Sequence, residues 1–448
     1  MKPRMPYDRM LIVIVLALLG VGLVMVFSAS AVISKEIYDS STAIFTKQLY
    51  SVVLGLILMV VAMRVNFRIF ANRIVIGLLI ATSLGLLVWA LASPDINDVN
   101  RWIQLGPMRF QPSEVAKLAV IFMTAYVVAK RQGRIGAVDA SFVVYLAILG
   151  LILTLVLAEP DFGTTTSLAL TAALLLFLAG LPIRYYLGAA LAALPLFFFL
   201  VYQVPYRRVR LFAFLHPEAD PFGASYQVLQ SLIAVGSGGL AGKGLAQGTQ
   251  KLFFLPEPHT DFIYAVIGEE TGLWGCVLVL GLFLLLLWRG LRAALRSDSL
   301  FGTYVGLGIV SMITLQALFN MSVVLSLCPT KGIPLPFISV GGSSVLIMLT
   351  AIGILLNISK QAQPPIPASA VGTVDSGNEP GLQPPSGTAD AGHPLAGLRV
   401  PSVERTASTG ALPAALQFPS PYRRISGANL EVRGSDRNHL SLEADHEF

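Results

Sequence analysis

Long apolar runs, separated by short polar stretches, repeat along the first 360 residues. Ten of these runs approach the roughly 20 residues that an α-helix needs to cross a bilayer. Their cores lie at 11–32, 48–63, 74–92, 114–129, 141–158, 165–181, 185–204, 262–288, 303–327 and 340–358. The expected fold class is therefore all-α: a polytopic membrane protein with ten transmembrane helices. The first run is too long for the apolar core of a cleavable signal peptide. Pro112 suits a first helical position, so the fourth helix is expected to start there.

The polar stretches are unequal. Residues 93–113 form a moderate loop, and 159–164 a tight one containing Glu159-Pro160-Asp161-Phe162-Gly163. Residues 205–261 form the largest loop, between the seventh and eighth segments. Long ordered loops in compact proteins are usually functional. This one holds a predicted helix from Tyr226 to Val235, followed by Gly236-Ser237-Gly238-Gly239. Over 361–448 the apolar periodicity is lost and Pro, Gly, Ser and Ala dominate, which predicts a disordered tail. Its Tyr422-Arg423-Arg424 reads as part of a solvated linker. The chain thus divides into a membrane body, 1–360, and a tail, 361–448.

Composition agrees with the pattern. Hydrophobic residues make up 55% of the chain and charged residues 12%. A soluble domain carries about a quarter charged residues. Basic residues are distributed unevenly. Thirteen lie at the N-terminus and in alternate loops, among them Lys2, Arg4, Arg9, Arg64, Lys130, Arg184 and Arg289. The short opposite loops hold Lys35, Lys47, Arg101, Arg109 and Lys331. The bias predicts cytoplasmic termini and an extracytoplasmic large loop. The formal charge of +6 follows from that asymmetry, so no nucleic-acid partner is inferred. Cys276 and Cys328 lie in or beside apolar segments and support neither a disulfide framework nor a thiolate metal site. His216 and His259 are far apart and the other three histidines lie in the tail, so no zinc site is legible.

Candidate chemistry gathers on the outer side. Leu255-Pro256-Glu257-Pro258-His259-Thr260-Asp261-Phe262 places two carboxylates and an imidazole just before an apolar segment. Ionisable groups at a membrane boundary are costly and usually functional. Asp261 can serve as a general base, with His259 and Thr260 orienting it or binding substrate. The plain alternative is a helix cap, from Asp261 or Thr260. Glu114 and Lys117, three apart, share a helix face and are expected to pair, either structurally or in contact with substrate. Arg101, Arg109, Arg208 and Arg210 lie where cations are otherwise scarce, and guanidinium forks suit diphosphates. Snorkelling to the interface is the alternative for Arg101 and Arg109. Ser237-Gly238-Gly239-Leu240-Ala241-Gly242-Lys243-Gly244 imitates a phosphate loop but lacks its first glycine and closing hydroxyl. At about 100° per residue, Glu269 falls roughly 80° around a continuous helix from Asp261. Glu269 and Glu270 therefore read as a structural network.

Taken in order, several motifs resemble those of the SEDS (shape, elongation, division and sporulation) family, also known as the FtsW/RodA family of bacterial cell-wall polymerases. They are Arg101-Trp102-Ile103, Phe110-Gln111-Pro112-Ser113-Glu114, Pro160-Asp161-Phe162-Gly163, the Leu255–Phe262 run, and Pro334-Leu335-Pro336-Phe337-Ile338-Ser339-Val340-Gly341-Gly342-Ser343-Ser344. The resemblance covers about residues 10–358. Val340 stands where the family usually has Tyr, and Phe162 where it usually has Leu. The endings Gly341-Gly342-Ser343-Ser344 and Gly353-Ile354-Leu355-Leu356-Asn357-Ile358 are similar to the division type rather than the elongation type.

The resemblance implies a peptidoglycan glycosyltransferase that polymerises lipid II during septal wall synthesis in the bacterial cytoplasmic membrane. Asp261 matches the family's essential aspartate, and Glu114 and Lys117 its functional pair in the fourth helix. Arg101, Arg109, Arg208, Arg210, His259, Thr260 and Ser339 are the further substrate-binding candidates. The implied partners are undecaprenyl diphosphate-linked glycan, a class B penicillin-binding protein and other divisome membrane proteins. No cofactor is expected for certain. A divalent cation (Mg or Mn) can share in offsetting the diphosphate charge, but no dedicated site is legible. A lipid II flippase and a non-catalytic division scaffold remain open.

Overall fold

The computed structural model describes residues 7–93, 101–105, 108–132, 135–202, 205–218, 220–223 and 225–361. The expected tail falls almost wholly outside these residues. The described chain is helical: α1 (Arg9–Tyr38), α2 (Ala43–Arg64), a 3-10 turn (Phe67–Ala71), α3 (Arg73–Ala92), α4 (Pro112–Lys130), α5 (Ala140–Ala158), α6 (Phe162–Leu178), α7 (Ile183–Tyr202), α8 (Pro205–Leu215), α9 (Tyr226–Gly238), α10 (Ile263–Leu295), α11 (Leu300–Val324) and α12 (Gly342–Lys360). Between α3 and α4, β1 (Ile103–Leu105) pairs antiparallel with β2 (Met108–Phe110), in a register that sets Gln104 opposite Arg109.

Local chemistry fixes many of the helix starts. Asp8, Asn72, Asp139, Asp161 and Ser299 each accept a backbone N–H of the first turn of α1, α3, α5, α6 and α11. Pro112 occupies the first turn of α4, as expected.

Eight of the described helices are long and apolar enough to cross a membrane: α1–α5 and α10–α12. At 17 residues α6 is shorter than these. The multi-pass fold expected from the sequence is present, and eight of the ten expected crossings meet that criterion among the described residues.

Burial separates interior from rim. In α4, α11 and α12, 78% of the spanning window is buried, against 22–28% in α2, α3, α5 and α10. The interior three pack on one another, with α2 against α12, α6 against α4 and α11, and α10 against α11. Rim helices carry one buried stripe and leave the rest for lipid.

Three features depart from the expected layout. The hairpin before α4 and helix α8 were not anticipated. The eighth apolar segment is also broken: Gly272 has φ 68 and ψ −162 inside α10. The loop after α9 fills the break. Lys243 N donates to Glu269 O at 2.9 Å, Gly244 N to Glu270 O at 3.0 Å, and Leu273 N to Gly239 O at 2.9 Å. Backbone groups freed by the interruption are thus satisfied without water.

The two carboxylates beside the break hold the same loop. Glu269 Oε1 accepts Lys243 Nζ at 2.7 Å, and both Thr249 N and Thr249 Oγ1 at 2.9 Å. Glu270 accepts Lys251 Nζ at 2.6 Å, Ser28 Oγ at 2.7 Å and Ala246 N at 2.9 Å. Both are structural, as expected, and the Gly238–Gly244 run is a clamp strand. The helical angle drawn from Asp261 does not apply, because Asp261 precedes α10.

Candidate active site

Asp261 lies in a turn whose following residue, Phe262, caps α10 without a side-chain hydrogen bond. The aspartate is therefore not spent on capping. Its backbone is held from two sides. Asn320 Nδ2, on α11, donates to Asp261 O at 2.7 Å and to Ile333 O at 2.8 Å. Ser339 Oγ donates to Thr260 O at 2.6 Å and accepts Leu335 N at 2.8 Å, while Val340 N donates to His259 O at 3.0 Å. A Cβ on Gly332 would sit 2.9 Å from Asp261 Oδ2, so any larger residue here would have to displace the carboxylate.

The Asp261 carboxyl is partly buried and its pKa is pushed up to about 7. Burial is the main cause and repulsion from Glu257 adds to it; Arg101 and Arg210 oppose them, and Asp161 adds a smaller upward push. Near neutrality such a group can both take and release a proton. His259 is held toward its neutral form by burial, against the pull of Glu257, with Nε2 at 3.9 Å from Glu257 Oε2. Thr260 Oγ1 donates to Glu257 Oε2 at 3.1 Å.

Glu114 and Lys117 are fully buried, with Lys117 Nζ at 2.8 Å from Glu114 Oε1. Lys117 also donates to Gln316 Oε1 at 3.0 Å, and Gln316 Nε2 donates to Pro334 O at 3.0 Å. Gln316 and Asn320 lie four apart on α11, so one helix face grips both the 333–334 segment and Asp261. The pair on α4 is thereby linked to the backbone of the aspartate turn through the 333–334 segment. A second carboxylate completes the region: Asp161 Oδ1 accepts Thr164 N at 2.9 Å, and Oδ2 accepts Thr164 Oγ1 at 2.7 Å and Gln111 Nε2 at 3.0 Å. Lys331 Nζ sits 4.1 Å over the Phe162 ring, and burial lowers its pKa to about 8.

Of the residues singled out from sequence, the structure brings together Asp261, Arg101 and Arg210, and ties Glu114, Lys117, His259, Thr260 and Ser339 to the same framework. The Ser339 hydroxyl is committed to backbone groups, so it positions the turn. Arg109 is exposed on β2, and Arg208 is exposed on α8. Sequence reasoning passed over Gln316, Asn320, Gly332 and Lys331 as site residues. Two side-chain amides one turn apart inside an apolar helix were a legible signal. Among the described residues, no three His, Cys, Asp or Glu side chains are grouped to hold a metal ion. The cations beside Asp261 are arginines.

Comparison with known proteins shows the family. The model of the FtsW/RodA/SpoVE family, described as "Cell cycle protein", matches residues 9–364. The probable peptidoglycan glycosyltransferase FtsW of Trichlorobacter lovleyi is 42% identical over 356 residues, 79% of this chain and 93% of that protein. Stage V sporulation protein E of Bacillus subtilis is 41% identical over 360 residues, 80% of this chain and 98% of that protein. A solved chain from work on the structural coordination of polymerization and crosslinking by a peptidoglycan synthase complex superposes with TM-score 0.66 at 30% identity, covering 79% of this chain and 97% of that one. RodA, the rod shape determining protein of Thermus thermophilus, gives TM-score 0.59 at 26% identity, covering 80% and 98%. The chain belongs to the FtsW/RodA/SpoVE family of cell cycle proteins.

Proposed function

We propose that this chain is a division-type peptidoglycan glycosyltransferase that polymerises lipid II into glycan strands. The observation that carries the reading is Asp261: a carboxyl poised near neutrality, without a capping duty, beside two arginines, in a family whose curated members are named peptidoglycan glycosyltransferases. In this reading the Asp261 face is extracytoplasmic, both termini are cytoplasmic, and α6 and α7 complete ten crossings. The partner is a class B penicillin-binding protein, a pairing supported by likeness to a chain from a synthase complex that both polymerises and crosslinks.

The acceptor lipid II sets its GlcNAc 4-hydroxyl against Asp261. Asp261 takes the hydroxyl proton as that oxygen bonds to the anomeric carbon of the growing strand. The bond from that carbon to the diphosphate breaks, and undecaprenyl diphosphate leaves with the electron pair. A single displacement inverts the anomeric centre. Arg101 and Arg210 offset the charge gathering on the diphosphate. Grooves between helices take the polyprenyl tails.

The test is lipid II polymerisation by the purified full chain in liposomes with its class B partner. Asp261→Asn should lower the rate about 10²–10⁴-fold, the range for losing a general base, while still folding and binding the partner. Equal strand yield from both proteins would remove Asp261 as the base. The break at Gly272 is a feature shared with transporters. Its backbone groups and carboxylates are filled by the chain's own loop, which favours the polymerase over a flippase.

A further inference from the structure

Glu159 has no role in the reaction as derived above, yet its environment is unusual. It caps the C-terminus of α5 in the tight loop before α6. Its exposure is 0%, and neither carboxylate oxygen has a hydrogen-bond partner. Asp161, two residues on, is fully hydrogen-bonded and claims the local donors from Thr164 and Gln111. Arg101 bears electrostatically on both Glu159 and Asp261, and its buried Nε is also without a partner. A carboxylate sealed from water, with no donor and with a second carboxylate beside it, is far less stable than the neutral acid. An ionised Glu159 would draw Arg101 into a pair and cancel its charge.

We propose that Glu159 is a positioning residue for Arg101: a fully buried, unpartnered carboxyl that stays a neutral acid and so leaves the nearby guanidinium uncommitted for the diphosphate of the substrate. The substrate class rests on the polymerase reading; the link between Glu159 and anion binding at Arg101 does not. Burial, reinforced by Asp161 and opposed by Arg101, pushes the Glu159 pKa up to about 8. The acid therefore ionises just above neutrality, and diphosphate affinity should fall as it does. The charged groups facing Glu159 are Asp161 and Arg101. Lys331 and Asp261 also titrate in this region, at about 8 and about 7. They are unchanged by substitution at Glu159, so they cancel in a comparison of native protein with Glu159→Gln.

The experiment measures binding of undecaprenyl diphosphate to the purified full chain in detergent between pH 7 and pH 9, with lipid II polymerisation in the presence of the class B partner followed in parallel. At pH 7 the Glu159→Gln protein, an isostere of the neutral acid, should bind as the native protein does. By pH 9 native binding should weaken relative to Glu159→Gln by up to about tenfold, the limit for one proton released through a pKa near 8. Arg101→Gln should bind weakly at every pH. Weak binding by a folded Glu159→Gln protein at pH 7, superposable native and Gln profiles, or no diphosphate binding by the native protein would each overturn the proposal. Polymerisation with superposable profiles would sink this inference alone. The expected pH divergence without polymerisation would sink the polymerase reading and leave Glu159 in place.

Discussion

Asp261 carries opposite demands for activity and for stability. Its pKa is raised to about 7 in the fold, against an ordinary value of 3.8. Between those values the folded chain holds a proton that the unfolded chain has released, so stability falls as pH rises through that window. Asp261→Asn should therefore raise the unfolding temperature at pH 8 and lose that advantage by pH 4, while slowing strand synthesis as given above; thermal melts at the two pH values check the sign. Native activity should rise on an acid limb centred near pH 7. The buried Glu114–Lys117 pair behaves differently. Removing one partner leaves an uncompensated charge, which should cost about 3–5 kcal/mol in Lys117→Met, and the Glu114→Gln/Lys117→Met double variant should recover part of it. A double-mutant cycle by thermal unfolding in detergent measures both. Asp261 and this pair were legible in the sequence because charges at the edge of apolar runs are rare. Ser339 was legible only as a motif member; that its hydroxyl serves the backbone depends on two loops far apart in sequence meeting.

At the scale of elements, apolar runs marked the helices well and their interruptions poorly. The break at Gly272 was not read from the sequence although Glu269-Glu270-Thr271 interrupts the apolar run there, because the loop that stabilises it is contributed from 239–251. Gly272→Ala should prove severe. Its Cβ would meet Gly242 N at 2.4 Å and Leu240 O at 2.5 Å, at a φ of 68 that side chains resist. The expected outcome is faster proteolysis within 239–251, seen by limited digestion. Glu269→Gln should have a milder effect of the same kind, since it keeps an acceptor but loses the charge that holds Lys243. Helix α8 was read as an arginine cluster. It exposes Val209, Phe212 and Leu215 at three-residue spacing, a pattern suited to lying along a membrane surface, and at 11 residues it is too short to cross a bilayer.

For the whole molecule, the decisive relation is between the ends of the membrane body. Asn357 on α12 donates to Met63 O at 2.7 Å, and its Oδ1 accepts Phe67 N at 3.3 Å; Gln48 on α2 donates to Ser339 O and accepts Gly341 N, each at 3.2 Å. Asn357→Leu would strand the buried Phe67 N, at about 1–3 kcal/mol, and leave Met63 O with the Tyr7 hydroxyl alone, and it should lower the melting temperature of the bundle without touching the Asp261 turn. No local sequence signal joins residue 48 to 341 or 63 to 357, so this closure could not be read from the chain.

The buried position of α12 has a consequence for how the protein is made. This helix is synthesised after the other eleven, yet it fills the interior between α2, α4 and α11. Until it arrives, Gln48, the end of α2 and the 3-10 turn wait in the membrane with polar groups unmatched. The aspartate turn gains its bonds to Ser339 and Val340 only once 333–341 has been made. A released chain truncated before residue 342 should be recognised by membrane quality-control proteases, whereas one truncated just past residue 361 should be a protected bundle.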